Sequence, residues 1–175
     1  MTIFRKTCLF CVLCVSFLSS CKKENPVAMS ELMVGTYTGT QNFKIKYSQI
    51  SGLNASDSIK EFSVIFMIAK DLNNDDNIII TELDQNNSIS YKAEKVFSVS
   101  NSLVFGIPLQ SVYLSGIEMQ LSGLGSYNLS GVLYTGGYNI LNNSVKYGYQ
   151  GVMKFKNGSI TVDIPFEVIT NATKN

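Results

Sequence analysis

Residues 146–168 constrain the fold more tightly than any other stretch of the chain. Two segments of alternating character converge on Asn157-Gly158. Asn-Gly is the strongest two-residue hairpin signal, because both turn positions require positive φ. Pairing outward from that turn sets Lys156 against Ser159, Phe155 against Ile160, Lys154 against Thr161 and Met153 against Val162. Further out, Tyr149 meets Phe166 and Tyr147 meets Val168. One face then carries Tyr147, Tyr149, Met153, Phe155, Ile160, Val162, Ile164, Phe166 and Val168. The other carries Lys146, Gln150, Lys154, Lys156, Thr161, Asp163 and Glu167, with Val152 as an apolar exception. Side chains alternate with a period of two, so a one-residue slip would bury the charges and expose the aromatics. Pro165 cannot donate to a ladder and marks an edge or a bulge.

The rest of the chain reads as more of the same. Residues 36–50 contain the clean alternation Phe43-Lys44-Ile45-Lys46-Tyr47. Residues 59–69 are nearly continuously apolar and rich in β-branched and aromatic types, which favours a strand buried on both faces over a helix. Shorter strands are expected at 77–83, 88–100, 103–109, 112–121 and 126–134. Glycines at 106, 116, 123, 125, 131, 136 and 137 supply turns or bulges. No long helix is expected. Short strands at this spacing imply a sandwich or a barrel.

The N-terminus has a different logic. Arg5 and Lys6 precede a short apolar run, residues 7–17. That run is too short for a membrane span, which needs about 20 apolar residues. A basic start and a short apolar stretch are the pattern of a secretory signal peptide. Leu18-Ser19-Ser20-Cys21 follows and resembles the lipobox of bacterial lipoprotein precursors. The resemblance implies cleavage before Cys21 and acylation of its thiol and amine. Residues 1–20 are then a signal peptide, 21–32 a lipidated tether that opens with the polar Lys22-Lys23-Glu24-Asn25-Pro26, and 33–175 the folded domain. The lipid bilayer, held through Cys21, is the expected partner. Two or more acyl chains anchor stably where one does not. The expected location is the cell envelope, lipid-anchored at the outer membrane, on either its periplasmic or its surface face.

Cys8, Cys11 and Cys14 lie in the segment to be removed. The mature domain therefore has no disulfide and no thiol nucleophile, and it must be stabilised by core burial. The chain holds 14 Lys+Arg, 13 Asp+Glu and no His. That balance lacks the basic footprint of a nucleic-acid binder. The absence of His excludes a Ser-His-Asp triad and a His-ligated metal.

Val34-Gly35-Thr36-Tyr37-Thr38-Gly39-Thr40 opens the first strand, and Leu103–Gly131 contains Ile107-Pro108-Leu109-Gln110 followed by Gly- and Ser-rich strands. Both stretches resemble the small lipocalin-like (calycin-like) lipoproteins of the Bacteroidetes. The resemblance implies an all-β fold: an antiparallel meander β-barrel of about eight to ten strands.

Three constellations could carry chemistry. Residues 71–82 resemble an EF-hand loop, with Asp71, Asn73, Asp75 and Glu82 as oxygen ligands for a hard cation and Asp76 where the loop glycine belongs. The simpler reading is a solvated hairpin loop, where Asn and Asp tolerate left-handed backbone and cap their own turns. Asp163 and Glu167 could act as an acid–base pair, although they share their face with Lys154 and Lys156, and cross-strand charge pairing accounts for them. Tyr147, Tyr149, Phe155 and Phe166 line the inner face, as core filling or as the wall of a ligand pocket. Together these features predict a non-catalytic β-barrel that binds a small apolar or amphipathic ligand and needs no cofactor. The alternative is a surface module that binds protein or glycan through its outer face.

Overall fold

The computed structural model describes residues 28–84, 87–125, 127–129, 132–157 and 160–175. A short helix, α1 (Met29–Met33), comes first. Among the described residues twelve strands follow: β1 (Gly35–Ile45), β2 (Ser58–Lys70), β3 (Ile78–Asp84), β4 (Asn87–Val99), β5 (Ser102–Gly106), β6 (Gln110–Leu114), β7 (Ile117–Gly123), β8 (Tyr127–Leu129), β9 (Val132–Tyr134), β10 (Gly136–Asn139), β11 (Ser144–Asn157) and β12 (Ile160–Lys174). All pairings are antiparallel, and β1–β2–β3–β4–β5–β10–β11–β12 close on β1 as a ring of eight. This near-barrel is compatible with a calycin-like fold. The expected signal peptide and cleavage site, and Cys21, lie outside the described residues.

The β11–β12 hairpin keeps the expected faces and changes the expected register. Phe155 pairs with Val162, Lys154 with Asp163, Met153 with Ile164, Tyr149 with Val168 and Tyr147 with Thr170. Each partner is two residues further along than Asn157-Gly158 pairing implies. A shift of two preserves the side-chain period, so Tyr147, Tyr149, Phe166 and Val168 still point inward and are buried. Asn157 pairs with Ile160; residues 158 and 159 lie outside the described residues. Pro165 sits one residue beyond the β1 ladder, whose last pair is Ile45 with Phe166. There it faces no β1 partner needing its missing N–H, and its carbonyl accepts from Lys46 N–H at 2.9 Å.

Two other expectations change. The run 59–69 is not buried on both faces. Within β2, Val64, Phe66 and Ile68 face the core, while Ile65 and Met67 remain 48% and 43% exposed. The single strand expected at 112–121 is a hairpin, β6–β7. Ser115 and Gly116 both take positive φ, 50° and 81°, and Leu114 pairs with Ile117. That is the backbone a two-residue hairpin turn needs.

The core fills one end of the ring. Tyr37 is fully buried, stacks on Phe66 at 5.1 Å, meets Tyr138 edge-on at 6.3 Å and donates its hydroxyl to the Met33 carbonyl at 2.6 Å. α1, which includes residues 29–32 of the expected tether, caps this end. Met33 and Ser30 are fully buried, and Ser30 Oγ donates to the Asp75 carbonyl at 2.5 Å. Gly39 is required where β1 presses on β12: a Cβ there would lie 2.1 Å from the Asn171 carbonyl oxygen.

The opposite end is built differently. The first half of β11 pairs with β10, and the second half, residues 149–154, pairs with β7. Across the ring, β4 pairs with β5 only over residues 94–99, with a bulge between Glu94 and Phe97. Beyond the bulge β4 runs alongside β6, and the Gln110 side chain bridges the seam. Its Oε1 accepts from Lys92 N–H at 2.9 Å, and its Nε2 donates to the Lys92 carbonyl at 2.8 Å. One amide side chain thus replaces a ladder residue and holds the mouth of the ring together.

Candidate functional site

The mouth leads into a cavity of about 450 Å³. Its walls are Phe43 from β1, Phe62 and Val64 from β2, Ile89 from β4, Met119 from β7, and Met153 and Phe166 from the last hairpin. Phe43 stacks on Phe166 with centroids 5.7 Å apart. These side chains share the inward parity of their strands and sit past the point where the aromatic core has filled the ring.

Glu82 and Tyr149 line the inner end of the cavity. Alternation places Glu82 inside: on β3 it follows Ile78 and Ile80, both fully buried, on the core face. Three tyrosine hydroxyls meet its carboxylate. Tyr91 and Tyr147 donate to Oε1 at 2.5 Å and 3.0 Å. Tyr149 reaches both oxygens, 3.4 Å from Oε1 and 3.1 Å from Oε2. Burial first, and then the Glu82 charge, push all three phenols well above their ordinary range. They therefore remain protonated donors. An isolated buried carboxylate would be costly, and charge-assisted hydrogen bonds are what offset that cost.

Of the aromatic residues expected to line a pocket, Tyr149 and Phe166 line this cavity, while Tyr147 is packed in the core and reaches it through its hydroxyl on Glu82. Phe155 does not: it lies at the protruding end of the hairpin opposite Val162, and the two are 40% and 39% exposed. Tyr91 is a member that the sequence reading missed. Its signal was its inward position between Ile89 and Ala93, the same parity as Glu82 across the β3–β4 ladder.

The four expected cation ligands are not brought together. Asp71 Oδ1 accepts from Asn73 N–H at 2.9 Å, and Oδ2 lies 3.4 Å from Lys92 Nζ. Asn73 contributes its backbone to that turn. Asp75 pairs with Lys70 at 2.8 Å, and Glu82 faces the tyrosines inside the ring. Asn74 caps Asp76 N–H at 2.9 Å in a second side-chain turn. The segment is a self-capping loop between β2 and β3. No group of three or more Asp, Glu, His or Cys among the described residues is placed to share a metal ion. The suggested acid–base pair is likewise apart: Glu167 pairs with Lys46 at 3.0 Å, and Asp163 lies exposed opposite Lys154, which pairs with Glu118 at 3.2 Å. No protein-family model matches this chain, and no curated protein matches it at a significant level.

Proposed function

We propose that this is a lipid-anchored binding protein of the cell envelope, related to the lipocalin-like lipoproteins, that holds a small amphipathic or apolar molecule in the mouth of its ring. The observation that carries this reading is the cavity of about 450 Å³ with apolar walls and a hydrogen-bonding floor. Ligand sites commonly span roughly 300–1,000 Å³, mostly apolar with a few fixed polar groups. Nile red, a neutral apolar dye, is the test. One dye per protein should bind with enhanced fluorescence. Leu114→Trp, which adds bulk to the cavity wall, should abolish the signal, while Leu141→Trp, on an exposed turn far from the mouth, should leave it intact. Equal dye binding by both variants would remove the mouth from consideration. The anchor is tested separately: Cys21→Ala should block incorporation of labelled acyl chains and processing of the precursor.

A second reading is an interaction surface on the outer wall. Ile65, Met67 and Leu83 form an exposed apolar stripe, with Ile65 and Leu83 directly paired across β2 and β3. Ile65→Lys would abolish partner binding through this face and leave dye binding in the mouth unchanged.

A further inference from the structure

We propose that the mouth takes the protonated end of an aliphatic amine, its nitrogen donating to Glu82 Oε2 while its hydrocarbon body lies against Phe43, Met119 and Phe166. The inference rests on the mouth being the ligand site and assigns the head group that the site selects. The hydrogen bonds at Glu82 are lopsided. Oε1 accepts from Tyr91 and Tyr147, whereas Oε2 accepts from Tyr149 alone, whose single hydroxyl lies nearer to it at 3.1 Å than to Oε1 at 3.4 Å. A carboxylate offers about four acceptor positions, so Oε2 is the oxygen with capacity toward the cavity that Glu82 lines.

Charge points the same way. Among the described residues lining the cavity, Glu82 is the one charged side chain. Basic groups around this end are committed elsewhere: Lys44 pairs with Asp57, Lys46 with Glu167 and Lys154 with Glu118. Lys60, in register with Phe43 at the rim, lies outside the cavity lining. A fatty acid would set its own carboxylate against Glu82 with no cation between them. A plain hydrocarbon would cover Oε2 without adding a donor to the one Tyr149 supplies. An ammonium supplies both the countercharge and the N–H bond, and at low dielectric a fixed opposite charge is felt strongly.

Calorimetric titration of the purified protein at pH 7 with 1-octylamine, 1-octanol and octanoate tests this. The three share a tail and differ in the head. The amine should bind at least about tenfold more tightly than the alcohol, with octanoate weakest, as expected for one charge-assisted hydrogen bond. Glu82→Gln should erase the amine's advantage over the alcohol. Amine and alcohol binding equally, octanoate matching the amine, or the preference surviving in Glu82→Gln would overturn the head-group assignment while leaving the mouth as a ligand site. Failure of all three to bind would overturn both. Should the variant not fold, the ranking on the unsubstituted protein decides.

Discussion

Glu82 shows how one residue can be costly to the fold and central to the site. Its carboxylate is the acceptor for three buried phenols. Removing it strands those hydroxyls, and an unsatisfied buried donor costs more than a hydrogen bond gains. Glu82→Ala should therefore lower stability by about 3 kcal/mol in urea denaturation. Adding Tyr91→Phe to that variant should recover part of the loss, because it removes one stranded group. Equal losses in the single and double variants would show that the hydroxyls find other partners. Asp57 makes a contrasting surface case. Hydrogen bonds from the Ser48 hydroxyl and then the Ser48 N–H, with Lys44 alongside, draw its carboxyl down to about 2. A depressed carboxyl contributes stability above the ordinary carboxyl range and loses it as pH falls through its folded value. An NMR titration should place the Asp57 midpoint near 2, and Ser48→Ala should move it back up.

At the scale of elements, the mouth depends on strands that stop and change partner. β11 is held by β10 over one half and β7 over the other, and β4 passes from β5 to the β6 seam at its bulge. The seam is closed by Gln110 alone among the described hydrogen bonds between these strands. Gln110→Ala should cost about 2 kcal/mol, the net worth of two typical hydrogen bonds. It should speed hydrogen exchange at the Lys92 amide while amides in β1 and β12 keep their protection. Uniform exchange across the ring would mean that the seam is not a separate point of opening.

The whole molecule closes only when its ends meet. β1 pairs with β12, joining Tyr37 to Lys174 and Ile45 to Phe166. Such non-local pairing makes folding slow, because the loop-closure entropy is lost before the contacts form. Refolding by stopped flow should fall in the range of milliseconds to seconds. A chain ending before Ile160 should lose the cooperative unfolding transition altogether, since β12 is the strand that joins β1 to β11 and closes the ring. A truncated chain that still melted cooperatively would show that the ring is dispensable.

Alternation along strands was legible in the residues alone, since a period of two is a local property of extended backbone. It correctly placed Tyr147, Tyr149 and Phe166 on the inner face and gave the antiparallel all-β class. The register of the last hairpin was not legible, because shifts by two residues leave the alternation unchanged and only packing against β1 and β7 chooses among them. The two-sided burial expected of β2 failed for a related reason: an apolar run states what could be buried, and the number of layers decides what is. Glu82 illustrates the limit most clearly. Its spacing from Asp71 suggested a shared cation, yet the parity of β3 turned it inward, toward tyrosines from β4 and β11 that lie 9, 65 and 67 residues away. Local pattern determined which way each side chain points; closure of the ring determined what it meets there.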